Sequence, residues 1–202
     1  VYAIIALVLV GFGFKISAVP FHFWAPDVYE GGPTPVAGFL STASKAAGFA
    51  VLLRVLQVAF PDQTAFWTTV IAVLATLSML VGNYLALAQK SVKRLLAYSS
   101  IAQAGYMLIG VAAGKQFGAT GAVYYLMAYL VTNLAAFGVV AIVEGKVGPD
   151  DITAFAGLSR RPPGLALAMV VALLSLGGIP PFAGLFGTVS YTHLTLPTNH
   201  PV

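Results

Sequence analysis

Cysteine is absent from this sequence, and charged residues make up only 8% of it. Without cysteine the chain has no disulfide, no Cys-bound zinc and no thiolate-ligated iron–sulfur cluster. Any redox centre that it serves must therefore lie in another chain. A soluble domain carries about 25% charged residues, whereas 59% of this sequence is hydrophobic. The composition is typical of a membrane protein.

Negative charge is also scarce. Ten lysines and arginines stand against six aspartates and glutamates, which gives a formal net charge of +4. The cations are scattered and mostly flank apolar runs, which is a membrane-topology pattern and not a phosphate-binding face. We therefore expect the lipid bilayer, and no nucleic acid, as a partner. Because Val1 lies inside an apolar run, we expect a fragment and not a chain that begins with a signal peptide.

Long apolar runs are what the sequence has in abundance. Crossing a hydrocarbon core takes about 20 apolar residues. The sequence predicts an all-α fold, a polytopic membrane helix bundle with about six transmembrane helices, at least one of them discontinuous, that is a fragment of a larger bundle. The six windows are Val1 to Val19, Pro35 to Phe60, Phe66 to Leu87, Leu95 to Ala113, Ala119 to Val143, and Gly164 to Gly187.

Two charge-rich connections set the predicted topology. They run from Gln89 to Arg94 and from Glu144 to Pro163, and because two helices separate them they lie on the same side of the membrane. The positive-inside rule makes that side cytoplasmic. The same parity places the segment from Pro20 to Thr34 on the cytoplasmic side. Within the last connection, the stretch from Asp150 to Phe155 is expected to form a short amphipathic turn.

Prolines interrupt the region after the first window, which holds Pro20, Pro26, Pro33 and Pro35. Each proline removes a backbone donor and clashes with the preceding helical turn, so this region cannot form one regular helix. The first helix is therefore predicted to end or break just after Lys15. Thr34 and Pro35 are a suitable cap and first-turn pair for the next helix.

Two lysines fall inside apolar windows, where a charged side chain is costly and is by default a functional candidate. Lys45 lies near the middle of its window. Lys15 lies near the end of the first window, so snorkelling to the interface is its structural alternative, and Arg54 is interpreted as snorkelling. A low dielectric disfavours the charged form of any lysine. Two such lysines, joined by hydroxyls and water, would accept and release protons in turn.

Polar residues within the windows fall at helical spacing, so each set shares one helix face. Such faces indicate a hydrated or hydrogen-bonded interior, and hydrogen bonds that only hold helices together are the alternative interpretation. The three sets are Ser41, Lys45 and Gly48; Ser99, Gln103 and Tyr106; and Tyr125, Tyr129 and Asn133.

Asp27 and Glu30 are one helical turn apart if their segment is helical. One hypothesis is a cation site, and the alternative is that the two acids are solvated or cap a helix. His22 lies in an aromatic sequence without a second suitable histidine, so neither haem nor zinc is expected. Glu144 is interpreted as an interfacial residue. We predict no metal site in this chain.

The stretch FKISAVPFHFWAPDVYEGGPTPVAGFLSTASKAAGF resembles the antiporter-like membrane subunits of respiratory complex I, the NADH:quinone oxidoreductase, and its Asp-Val-Tyr-Glu-Gly motif is most similar to the subunit N group. KRLLAYSSIAQAGYMLIG, YLVTNLAAF and LSLGGIPPFAGLFG resemble further segments of that family in the same order. The resemblance covers residues 1–187. We therefore expect a membrane bundle domain at 1–187, truncated at both ends.

The resemblance implies a subunit that moves protons across the membrane, driven by quinone reduction elsewhere in the complex. It implies that Lys15 is the lysine before the break of a discontinuous helix, that Pro20 is the proline at that break, and that Lys45 is a linking lysine. Ser41, Ser99, Gln103, Tyr106 and Asn133 are expected to support this proton path. NADH, flavin, iron–sulfur clusters and quinone are expected in partner subunits or at their interfaces, with no cofactor in this chain. Other membrane-arm subunits are the implied partners.

Three departures from the family pattern matter. Gln103 stands where the family usually has histidine, and the glutamate that pairs with the first lysine lies on an earlier helix. Gly187 is followed by Thr188, whereas the family motif continues with a lysine. Residues 188–202 abandon the apolar pattern and resemble translated adaptor sequence, so we expect a non-native tail.

Three functions are compatible with these residues. The first is proton translocation by a subunit of NADH:quinone oxidoreductase, a translocase, in a bacterial inner membrane. The second is a subunit of a cation/proton antiporter or of a membrane-bound hydrogenase. The third is a structural membrane subunit whose lysines only hold helices together.

Overall fold

The computed structural model describes residues 1–113, 116–148, 151–160 and 162–179, with only the backbone at 116–119. The described chain is helical and contains no β-strand, which confirms the predicted all-α class. The α-helices are α1 (Tyr2–Ile16), α2 (Trp24–Gly31), α3 (Thr34–Phe39), α4 (Lys45–Ala59), α5 (Thr64–Ala86), α6 (Val92–Ala112), α7 (Gln116–Val147) and α8 (Pro163–Leu176).

Four helical stretches in the described ranges are long and apolar enough to cross a membrane: Thr34–Ala59, Pro61–Ala86, Val92–Ala112 and Thr120–Val147. They match the second to fifth predicted windows. α1 and α8 are shorter apolar helices in the first and sixth windows. The structure therefore has the predicted order of helices. The described part of the sixth window ends at residue 179, just after α8.

The break after the first helix lies where the prolines predicted it. α1 ends at Ile16, and Ser17 adopts the left-handed conformation with φ 60°. The Val19–Pro20 peptide bond is cis. The backbone N–H of Val19 donates to Ser78 Oγ of α5 at 2.9 Å, so a side chain of a neighbouring helix satisfies part of the broken backbone, as membrane depth requires.

The next membrane helix is continuous from α3 to α4 through a π-helical turn, Leu40–Ser44. The side chains of Ser41 and Thr42 both donate to Gly38 O, at 2.8 and 2.7 Å. The predicted cap at Thr34 is wrong: Pro33 is the N-cap residue, and Thr34 is already the first helical residue. The Thr34 hydroxyl donates to the Glu144 carboxylate instead of capping its own helix.

α6 is the central helix of the bundle, because it is the most buried of the four membrane-spanning stretches and contributes to both hydrophobic clusters. One cluster joins α6 to α1, α4, α5 and α7, and the other joins it to α2, α3, α7 and α8. α5 and α6 approach closely at Gly82, where an added Cβ would lie 2.6 Å from the backbone nitrogen of Ala102. Any polar residue of α6 is therefore within reach of several helices.

The predicted parity of the charged connections agrees with the structure. The backbone N–H of Ile152 donates to Lys90 O at 2.9 Å, and Ser91 pairs with Asp151 in an isolated β-bridge. The two connections thus lie together. Asp151 caps the short 3₁₀-helix Ile152–Phe155, and hydrogen bonds from the backbone and hydroxyl of Thr153 lower the pKa of the Asp151 carboxyl. Asp150 lies outside the described residues.

Candidate functional site

Lys45 is the first residue after the π-helical turn and is one of the most buried large side chains of the described chain, with 1% exposure. A π-helical turn inserts an extra residue into the helix and rotates the side chains that follow it, and such turns are frequent at functional sites. The placement of Lys45 near the middle of a membrane helix agrees with the prediction from sequence.

The ammonium of Lys45 is held by neutral oxygen atoms of α6. Its Nζ donates to the carbonyl oxygen and to the hydroxyl of Ser100, both at 2.9 Å. Among the residues that the structure describes, no carboxylate forms an ion pair with it. A charged group buried without a counter-ion is costly, and the two oxygens of Ser100 are the uncharged groups that hold Lys45 in this position.

The polar face of α7 contacts the polar face of the membrane helix that carries Ser41 and Lys45. Asn133 Nδ2 donates to Ser41 Oγ at 2.7 Å and to the Tyr129 hydroxyl at 3.1 Å. Tyr129 in turn faces Ser100. We call these five buried residues the lysine cluster: Ser41, Lys45, Ser100, Tyr129 and Asn133. Two of the three predicted polar faces are thus brought together around Lys45.

The third predicted face lies elsewhere. Ser99, Gln103 and Tyr106 line a cavity of about 800 Å³ bounded by α5, α6 and the end of α8. Ser100, not Ser99, binds Lys45. Neighbouring residues of an α-helix point about 100° apart, so Ser99 shares the cavity face with Gln103 and Tyr106 while Ser100 faces Lys45.

Gln103 connects the cavity to the helices on either side of it. Its amide nitrogen donates to Leu176 O at 2.8 Å, and its amide oxygen accepts a hydrogen bond from Tyr125. Tyr106 accepts a hydrogen bond from Asn83 Nδ2 at 3.2 Å. An amide can donate and accept at once, so Gln103 links α7 to the end of α8 through a single side chain.

Lys15 is not part of the lysine cluster. It lies in the last turn of α1, and its side chain is exposed in the described chain. It lies next to α4, because a Cβ added to Gly48 would be 3.4 Å from Lys15 Cγ and 2.9 Å from Ile16 Cγ2. Gly48 shares a helix face with Lys45, so the break that follows Lys15 lies against the helix that carries Lys45.

The charged connections form an ionic site that the sequence did not predict. Lys93, with only 5% exposure, donates to Glu144 Oε1 at 3.0 Å, while Thr34 donates to the other oxygen of that carboxylate. Lys93 had been interpreted as a topology signal and Glu144 as interfacial. Nothing in their local spacing indicates the pair, because the two residues belong to different helices.

Asp27 and Glu30 form ion pairs with the guanidinium of Arg94. Arg94 Nη1 donates to Asp27 Oδ1 at 2.9 Å and to Glu30 Oε2 at 2.7 Å. The described residues contain no group of three or more histidine, cysteine or acidic side chains that could hold a metal ion. We call the end of the bundle that carries these acids together with Lys93, Arg94 and Glu144 the charged end.

Some predicted features lie outside the described residues. They are the junction of Gly187 with Thr188 and the tail at 188–202. The expected truncation of the domain at 187 and the departure from the family motif at Thr188 therefore stay predictions.

The fold and the site together define a multi-pass helical membrane protein with a polar interior built around a buried lysine. The chain belongs to the NADH:quinone oxidoreductase/Mrp antiporter transmembrane family, whose model matches residues 1–197. This confirms the resemblance seen in the sequence, and with it the assignment as an integral membrane protein.

Both relatives and solved structures are similar to most of this chain. The NADH-quinone oxidoreductase subunit N of Heliobacterium modesticaldum is 54% identical over 184 residues, which cover 91% of this chain and 39% of that subunit. The chain therefore spans about two fifths of the length of this curated relative.

Among solved structures, a chain of respiratory complex I from Thermus thermophilus with bound aureothin is 43% identical with a TM-score of 0.77, covering 98% of this chain and 44% of that one. A chain of the Mrp complex from Dietzia sp. DQ12-45-1b is 28% identical with a TM-score of 0.89, covering 95% of this chain and 36% of that one. The backbone likeness is thus shared by both kinds of complex, while the sequence is more similar to the first.

Proposed function

We propose that this chain is a segment of a membrane subunit of an NADH:quinone oxidoreductase, and that Lys45 carries protons across the membrane within it. Quinone reduction in partner subunits drives the transfer. The NADH, flavin, iron–sulfur and quinone sites belong to those partners in this proposal, and the cysteine-free sequence offers no thiolate ligands for an iron–sulfur cluster. The partners of this subunit are the other membrane-arm subunits, in a bacterial inner membrane.

The observation that carries the proposal is the environment of Lys45. Among the described residues, Lys45 Nζ donates hydrogen bonds only to the two oxygens of Ser100, and the lysine is 1% exposed. Such a lysine is poorly explained as a packing residue, because a methionine or leucine of similar volume would avoid the desolvation cost. A lysine needed for proton exchange, by contrast, must not be paired with a permanent counter-ion.

The surroundings of Lys45 also suit proton movement. Hydroxyl and amide groups both donate and accept hydrogen bonds, and Ser100, Tyr129, Asn133 and Ser41 form a connected chain of such groups. On another face of α6, Gln103 borders the open cavity together with Tyr125 of α7. This arrangement supplies polar groups on both sides of the central helix, within the membrane span.

The proposal is tested with Lys45→Met in the full-length subunit within the assembled complex. Proton pumping in membrane vesicles is expected to be lost, while assembly and electron transfer from NADH to an artificial acceptor stay normal. Arg54→Met is the matched control, because it removes a cation from the same helix at an exposed position and should leave pumping unchanged. A structural role for Lys45 would instead weaken assembly and leave pumping intact.

A subunit of a cation/proton antiporter is the second candidate, favoured by the TM-score of 0.89 with a chain of the Dietzia Mrp complex. The lysine cluster would serve either complex, so the variant at Lys45 does not separate them. Purification of the full-length subunit with its native partners does. Quinone-reducing partners would support the first candidate, and their absence from an otherwise intact complex would support the second.

A further inference from the structure

A tyrosine hydroxyl is buried beside the lysine cluster without a hydrogen-bond partner. Tyr29 lies on α2 at 0% exposure, and its hydroxyl is near Ser100 but has no hydrogen-bond partner of ordinary geometry among the residues that the structure describes. A buried hydroxyl without a hydrogen bond is destabilising, because it has lost its hydration without gaining a partner. A phenylalanine would avoid this cost while filling nearly the same volume, so the oxygen of Tyr29 calls for an explanation.

The position of this hydroxyl suggests its role. It faces Ser100, the residue that holds the ammonium of Lys45, and Tyr129 faces both Ser100 and Tyr29. The Tyr29 ring has edge-on contacts with Trp24 and Phe137, at centroid distances of 6.2 and 6.1 Å. Aromatic neighbours on two helices thus fix the ring and direct its oxygen toward the lysine cluster.

The other side of the same short helix belongs to the charged end. Asp27 and Glu30 flank Tyr29 in α2 and bind Arg94. Lys93, which pairs with Glu144, also donates to Gly32 O just after α2, at 3.4 Å. α2 therefore carries ionised groups on one side and a single buried phenol, which faces Ser100, on the other.

We propose that Tyr29 is a further residue of the proton path, whose hydroxyl passes protons between the charged end and the pair formed by Ser100 and Lys45. This inference rests on the function proposed above. A phenol oxygen both donates and accepts hydrogen bonds, so it can receive one proton while it releases another.

The transfer is balanced in protons and needs no oxidant or reductant. The Tyr29 oxygen accepts a proton from a hydronium ion that reaches the charged end from the aqueous phase and is left as water, and its own hydroxyl proton goes to Ser100 Oγ. Ser100 gives its proton to the neutral Nζ of Lys45. Only O–H and N–H bonds form and break, and rotation of the two hydroxyl groups restores the starting state.

The test is Tyr29→Phe in the full-length subunit within the assembled complex, which removes the oxygen and keeps the ring between its aromatic neighbours. Because a positioned group that transfers protons contributes a factor of about 10² or more, and water can replace part of its function, the pumping rate at fixed NADH oxidation is expected to fall roughly tenfold. Tyr124→Phe, on an exposed side chain, is the control and should pump normally.

Thermal stability separates a proton role from a packing role. Loss of an unpartnered hydroxyl should leave the melting temperature of the complex unchanged or raise it. A lower melting temperature or failed assembly with Tyr29→Phe would overturn the inference, because the oxygen would then be a structural partner. Normal pumping by Tyr29→Phe would overturn it as well. If Tyr29→Phe pumps normally while Lys45→Met abolishes pumping, the proposed function survives and only the role of Tyr29 fails. If Lys45→Met also pumps normally, both fail.

Discussion

The contact between α5 and α6 gives a prediction that tests the packing of the bundle independently of its function. A Cβ added to Gly82 would lie 2.6 Å from the backbone nitrogen of Ala102 and 3.0 Å from its Cβ. On the facing helix, a Cβ added to Gly105 would lie 2.8 Å from Ala75 O. Small residues of this kind let membrane helices approach closely, and here the obstructing atoms are mostly backbone, which cannot rotate away.

The size of the effect follows from these distances. Ordinary contact begins at 3.4 Å, so Gly82→Ala must move the two helices apart by about 0.8 Å at this point. Overpacking of this kind costs about 1–3 kcal/mol. The better helix propensity of alanine offsets up to about 1 kcal/mol of that cost. Gly138→Ala in α7 receives the same propensity gain without a clash, since nothing lies within 4 Å of its added Cβ.

The assay is unfolding of the full-length subunit by SDS in mixed micelles. Gly82→Ala should be less stable than Gly138→Ala by about 1–3 kcal/mol. Adding Gly105→Ala to Gly82→Ala should cost less than Gly105→Ala alone, because the helices are already separated and the two sites share one interface. Equal stability of Gly82→Ala and Gly138→Ala would refute the close approach of the two backbones.

Two further predictions concern single contacts. Glu144→Gln leaves Lys93 buried without its carboxylate and should destabilise the subunit by about 1–3 kcal/mol, between the values for exposed and fully buried ion pairs. A double-mutant cycle with Lys93→Met measures the coupling energy of the two side chains. A coupling energy near zero would contradict the ion pair. Gly48→Ala would place its Cβ 2.9 Å from Ile16 Cγ2 and should lower the melting temperature by a few degrees. Gly11→Ala is the control and should leave the melting temperature unchanged, because nothing lies within 4 Å of its added Cβ.

Local patterns in the sequence predict the elements of this bundle well. Hydrophobic windows predict the order of the membrane helices, because each span must bury its backbone polar groups within itself. The prolines predict the break after Lys15, and helical spacing predicts that Ser41 and Lys45 share a face, as do Tyr129 and Asn133.

Contacts between helices are not predicted by local spacing. The spacing along α6 groups Ser99 with Gln103 and Tyr106 but does not indicate that Ser100 binds Lys45, because the rotation of α6 depends on packing between helices, such as the close approach of Gly82 to Ala102. In the same way, Lys93 and Glu144 are 51 residues apart, and each has a satisfactory local interpretation as an interfacial charge. Only the three-dimensional arrangement shows that they form a pair.

The surroundings of Tyr29 are likewise not predicted by local sequence patterns. The sequence singles out the motif around it as a mark of the family but does not indicate that its hydroxyl is buried beside Ser100. A tyrosine next to two acids is equally typical of a membrane interface. The distinction depends on how α2 lies against α6 and α7.

The central claim is that Lys45 releases and rebinds a proton, and the most direct test is proton pumping by Lys45→Arg in the assembled complex with the full-length subunit. Arginine keeps the positive charge and the donors toward Ser100 but does not deprotonate in proteins. The account predicts an assembled complex with normal electron transfer from NADH to an artificial acceptor and no proton pumping. Pumping at the wild-type ratio would show that a fixed charge suffices at this position, and would contradict the account.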